Sequence, residues 1–96
     1  MMNARIKKQM LEKVKKALGI EGEYQDETIL VYMDEVLMYA QSAGVPCDIL
    51  NSEKMLGLLT CGVSDLWNLN SGNKSFSPYF MQRLIQLKNS SGDENV

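Results

Sequence analysis

The sequence predicts a small all-α bundle of about four helices forming a single domain. Three observations lead there. The chain has 96 residues, room for one domain and not two. Apolar residues recur at steps of three and four in four separate stretches, the period of a helix face. Between those stretches stand the glycines, prolines and small polar residues that stop one helix and cap the next. Hydrophobic residues make up 45% and charged residues 23%, the ordinary globular range. A chain this short buries only about 60–65% of the surface its unfolded form exposes, so the core is expected to be thin.

The first helix is placed from Asn3 to Leu18. Asn3 suits an N-cap, where its side chain accepts an otherwise unpaired backbone N–H. Ile6, Met10, Leu11, Val14, Ala17 and Leu18 make one apolar stripe with the lysines between them. Gly19 stands at the C-cap, where a left-handed conformation costs glycine little. The second helix starts near Asp26, with acids in its first turn. Ile29, Met33, Val36, Leu37 and Ala40 keep the helical period, while Leu30, Val31, Tyr32 and Tyr39 widen the apolar surface beyond one stripe. A strand over residues 29–33 is the rival, and the period continuing through Ala43 favours helix. Gly44 ends it, and Val45-Pro46 keeps the chain extended.

A third helix is placed from Ser52, carrying Met55, Leu56, Leu59, Val63 and Leu66, with Leu58 and Trp67 on a second face. Gly57 and Gly62 each cost about 1 kcal/mol relative to alanine in a helix interior. They are read as sites of close helix approach, or Gly62 as a kink. Turn-forming residues run from Asn68 to Ser77. Ser77-Pro78 then starts the fourth helix, a capping hydroxyl followed by proline at the first helical position. Phe80, Leu84, Ile85 and Leu87 form its apolar face. The domain is thus expected over residues 1–88, with 89–96 a disordered polar tail. The predicted core is Met10, Val14, Leu18, Met33, Val36, Leu37, Leu59, Val63, Leu66, Trp67, Phe80 and Leu84. The doubled Met1-Met2 is read as a start-site ambiguity or an expression scar.

Several functions lose their chemistry at this level. The chain has no histidine, which removes the common general base and the Ser-His-Asp and Cys-His arrangements. Cys47 and Cys61 are not a CxxC pair, so no zinc site is expected. They are read as small buried apolar residues of a protein from a reducing compartment. There is no phosphate-cradling glycine loop, no apolar run long enough to span a membrane, and no secretory signal core. No cofactor is expected.

Net charge is −2, but it is unevenly spread. Residues 1–18 carry Arg5, Lys7, Lys8, Lys13, Lys15 and Lys16 against Glu12 alone. Residues 19–35 carry Glu21, Glu23, Asp26, Glu27, Asp34 and Glu35 with no base. Such a chain offers two unlike faces, as a heterologous contact between identical subunits needs. The candidate interface residues are therefore Lys7, Lys8, Lys13, Lys15 and Lys16 on one side, and Glu23, Asp26, Glu27, Asp34 and Glu35 on the other. The alternative is that these charges solvate two exposed helix faces or pair inside one subunit. Asn70, Asn73, Lys74 and Phe76, in the loop before the fourth helix, are candidates for a partner contact.

Three segments together carry a resemblance. They are Cys61-Gly62-Val63-Ser64-Asp65-Leu66-Trp67-Asn68, then Ser77-Pro78-Tyr79-Phe80-Met81-Gln82-Arg83-Leu84-Ile85-Gln86-Leu87, and the opening Met10-Leu11-Glu12-Lys13-Val14-Lys15-Lys16-Ala17-Leu18-Gly19-Ile20. Over Met10 to Leu87 the chain resembles the head–tail connector, or adaptor, proteins of tailed bacteriophages and prophages, nearest to those of Gram-positive hosts. The resemblance implies a structural virion protein and not an enzyme. It implies a ring of around a dozen copies beneath the portal, extending the DNA channel and joining head to tail. The implied partners are the chain itself, the portal protein, and a downstream connector, stopper or tail-completion protein, with only non-specific proximity to channel DNA. The implied location is the virion neck, and the host cytoplasm during assembly or from an integrated prophage. The rival is a small helix-turn-helix-like DNA-binding or regulatory protein, since residues 59–64 resemble the Gly-Val-Ser turn of such domains. Against it, Asp65-Leu66-Trp67 follows where base-reading arginine, lysine, asparagine or glutamine should stand.

Overall fold

Six helical segments, and no strand among the described residues, make up the computed structural model, which describes residues 2–68 and 76–93. They are α1 (Ala4–Leu18), α2 (Asp26–Ala43), a one-turn α3 (Cys47–Leu50), a 3₁₀ turn (Glu53–Met55), α4 (Leu56–Trp67) and α5 (Pro78–Asp93). The all-α bundle expected from the sequence is the fold observed. The Cα radius of gyration, 13.1 Å, is that of one packed domain of this length.

The local signals act where they were read. Asn3 Oδ1 accepts the Ile6 N–H at 3.0 Å, and its own N–H donates to Asn51 Oδ1 at 2.8 Å, tying the start of α1 to the end of α3. Gly19 and Gly44 close α1 and α2 with φ of 72° and 103°, a conformation that penalises any side chain with a β-carbon. Ser77 Oγ accepts the Phe80 N–H at 3.2 Å and opens α5 at Pro78.

Helix α4 is the centre of the bundle, packing on α1, α2 and α5. Its Gly62 makes this possible. A β-carbon there would collide with Val36 of α2 and stand 2.8 Å from Phe80 Cε2 of α5. Gly62 is therefore the close-approach glycine, and α4 runs unbroken through it. Gly57 plays a related part, with the Arg83 guanidinium 2.8 Å from where its β-carbon would be. Around this seam lie Met10, Val14, Ile29, Met33, Val36, Leu37, Leu50, Met55, Leu58, Leu59, Val63 and Phe80, all buried.

Five expectations need correction. Trp67 is 36% exposed, not core, and Leu18 and Leu66 are only half-buried. All three lie at the C-terminal ends of α1 and α4, at one end of the bundle where no further layer of the described residues covers them; Trp67 and Leu18 line the same shallow cleft there. The third helix is not continuous from Ser52, because the chain first makes α3 and the 3₁₀ turn. Cys47, the first residue of α3, is exposed. Helix α5 continues to Asp93, through residues assigned to a disordered tail. Met2 is also buried in the core, so it is a packing residue.

Candidate functional site

The expected charge faces meet inside the chain. Helices α1 and α2 run antiparallel, bringing Lys7 onto Asp34 and Lys15 Nζ to 2.6 Å from Asp26 Oδ1. Lys13 reaches the 3₁₀ turn, with Nζ 2.7 Å from Glu53 Oε1. Lys7, Lys13, Lys15, Asp26 and Asp34 are thus paired within one subunit. Lys8, Lys16, Glu23, Glu27 and Glu35 remain exposed. Phe76 is half-buried. Asn70, Asn73 and Lys74 lie outside the described residues.

Lys15 is the buried member of this network, with 6% of its surface exposed. Its ammonium approaches Asp26 Oδ1 closely but off the direction of a well-aligned hydrogen bond. The carboxylate raises the Lys15 pKa above the ordinary lysine value, against the opposing effect of burial, with Glu12 and Glu23 adding to the rise. Lys13 holds the Glu53 pKa below the ordinary glutamate value, first through their hydrogen bond. The Lys7–Asp34 and Lys15–Asp26 pairs join α1 to α2, and the Lys13–Glu53 pair joins α1 to the 3₁₀ turn.

The segment joining α4 to α5 is anchored at both ends. Asp65 Oδ2 accepts the Ser77 N–H at 3.0 Å, from one side of the segment to the other. Trp67 meets Tyr32 edge-on at 5.9 Å between centroids. Phe76 stacks on Phe80 at 4.0 Å and meets Tyr39 at 5.0 Å. Tyr32 and Tyr39 lie seven residues apart on α2, two turns along one side of the helix. Both flanks of the loop are thereby fastened to the same helix. Cys61 sits beside this latch, its thiol 3.8 Å from Ser77 Oγ. Burial pushes its pKa up, which favours the protonated thiol over the thiolate.

The feature that sequence reasoning left out of the site is apolar. Val31 and Met38 are 57% and 56% exposed, seven residues apart on the side of α2 that faces away from α4. Tyr39 continues the surface, its hydroxyl 3.6 Å from Met81 Sδ of α5. Met81 and Ile85 extend it along α5, both exposed. Such a surface spans two helices, and a monomer of this size has little reason to show one. The signal was present as the surplus of apolar residues on α2 beyond a single stripe.

Among the described residues, no group of histidine, cysteine or acids is placed to hold a metal ion, and no helix is long and apolar enough to cross a membrane. The segment Gly62-Val63-Ser64 lies within α4, and Gly62 does not take the positive φ of a turn glycine. A helix-turn-helix would need its turn there. What this geometry defines is an all-α protein whose distinctive surface is apolar and flanked by charge. No protein-family model, curated protein or solved structure matches the chain.

Proposed function

We propose that this protein is a structural component of a phage or prophage neck, a ring-forming head–tail connector that docks beneath the portal, extends the DNA channel and joins head to tail. The observation that carries the reading is the exposed surface formed by Val31, Met38 and Tyr39 of α2 with Met81 and Ile85 of α5. Apolar area left in water on a small domain is an interface awaiting a partner. The likeness of residues 10–87 to the connector proteins supplies the kind of partner. In a ring, each subunit covers its neighbour's surface, and a heterologous contact closes on itself.

The other features agree with this role. The charge dipole of α1 and α2 gives a subunit two different sides, and unlike charges steer orientation more than they add affinity. The flanks Trp67 and Phe76 are held against α2, and the residues between them are the proposed contact for portal or stopper. The reading needs no cofactor. A DNA-reading alternative is disfavoured by the helical Gly62-Val63-Ser64 and by a net charge of −2, since duplex binding rests on phosphate neutralisation.

Electron microscopy of the purified protein, alone and mixed with the portal protein from the same genome, tests the reading. Closed rings, or a collar added to the portal, are expected. A protein that remains a monomer in both samples overturns it, and sequence-specific duplex binding would put the regulatory reading in its place.

A further inference from the structure

Among the charges not consumed inside the chain, two rows match. On α1, Lys7 and Lys15 are held by Asp34 and Asp26, and Lys13 by Glu53. Lys8 and Lys16 are left on the exposed side with Glu12 between them. On α2, Asp26 and Asp34 are occupied by those same lysines, which leaves Glu27 and Glu35 exposed with Val31 between them. Each row is an i, i+4, i+8 ridge. Its charged ends lie eight residues, or about 12 Å, apart along the helix. Ridges of this kind interdigitate in the commonest class of helix crossing, near −50°.

We infer that the outward ridge of α1, Lys8-Glu12-Lys16, docks on the outward ridge of α2, Glu27-Val31-Glu35, of a second copy of this chain. The inference rests on the connector reading and names the faces through which its subunits meet. Lys8 and Lys16 pair with the neighbour's acids. Their methylene stems lie over Val31 and Met38, as long cationic side chains cover apolar surface while keeping the charge near water. Glu12 is drawn aside by Lys15, whose Nζ is 3.9 Å from Glu12 Oε2.

Charge selects this occupant over a symmetric one. Helix α2 carries no base at all. Two α2 helices face to face would set Glu27 and Glu35 against the same acids of the partner, and like charges across an interface are repulsive. The α1 ridge brings cations at the same spacing. Because the two ridges are different surfaces of one subunit, the contact is head-to-tail and propagates from copy to copy.

The test uses the full chain in two double variants, Lys8→Glu with Lys16→Glu, and Glu27→Lys with Glu35→Lys. Association is measured by sedimentation and light scattering at low and high salt, alone and on the portal. Each variant alone should associate at least roughly tenfold more weakly than the parent. An equal mixture of the two should regain association, because each then offers the other a complementary ridge; so should the fourfold variant. Far-UV circular dichroism and melting check folding, and the neutral pair Glu27→Gln with Glu35→Gln serves if lysine in the first turn of α2 unfolds it.

If the parent protein assembles and the double variants assemble equally well, the docking inference fails while the connector reading stands. Loss of association that neither the mixture nor the fourfold variant repairs also overturns it. So does a gain of association in Glu27→Gln with Glu35→Gln alone, which would mark a symmetric α2 contact freed of its like-charge repulsion. A parent chain that stays monomeric alone and on the portal removes the connector reading, and this inference with it.

Discussion

Helix α2 has two apolar sides, and they have different fates. Its inner side, with Ile29, Met33, Val36, Leu37 and Ala40, is buried against the rest of the bundle. Its outer side, with Val31 and Met38, stands in water. Helix α1 makes the contrast plainer. It is nearly as long, yet its large apolar residues are all buried or half-buried and its outer side is charged. One helix buries its large apolar residues within the chain, and the other leaves part of its own exposed. The inner side of α2 stabilises the fold, and its outer side is available for association.

Substitutions can break that division. Phe80→Ala, which empties the centre of the inner seam, should have the largest effect, about 3–5 kcal/mol. For a domain of this size that is a large share of total stability, and urea denaturation should show a collapsed midpoint. Gly62→Ala should cost less, because the gain in helix propensity, about 1 kcal/mol, offsets part of an overpacking penalty of about 1–3 kcal/mol. A net loss of about 0–2 kcal/mol is expected; a stabilised variant would show that the α2–α4–α5 approach is looser than described. On the outer side, Val31→Ser combined with Met38→Ser should leave the melting temperature of the monomer within the small range of surface substitutions, about 0.5 kcal/mol each. The same variant should fail to form rings. If it melts early instead, the two sides of α2 share one task and the contrast is lost.

The smallest expected effects are electrostatic and show the sign of each pairing. Lys15 has its pKa raised in the folded chain. Its contribution is therefore fully present below the ordinary lysine pKa and disappears as pH climbs through the raised value. Lys15→Met should flatten that alkaline decline in a series of melts. Glu53 has its pKa lowered. Its contribution is present above the ordinary glutamate pKa and disappears as pH falls through the depressed value, so Glu53→Gln should flatten a shallow acid-side decline.

Much of this fold was legible because its signals are local. Asn3, Gly19, Gly44 and Ser77-Pro78 act on their own neighbours in sequence, and a cap needs no tertiary information to be recognised. The stripes of α1 and α2 were equally plain. Helix α3 was not, since four residues carry no periodicity. Trp67 was misjudged because burial at the end of a helix depends on what lies beyond it. For the charges, composition gave the two unlike faces, but which lysine meets which acid depends on how α1 crosses α2. That crossing moved Lys7 and Lys15 from the candidate interface into the subunit's own framework, and the placement of the 3₁₀ turn did the same for Lys13. The contact of Asp65 with Ser77, twelve residues away, left no mark in the sequence at all.

That last contact works as a clasp. A carboxylate on α4 and rings resting on Tyr32 and Tyr39 hold the end of α4 and the start of α5 to each other and to α2, so the two helices keep their mutual setting whatever sequence joins them.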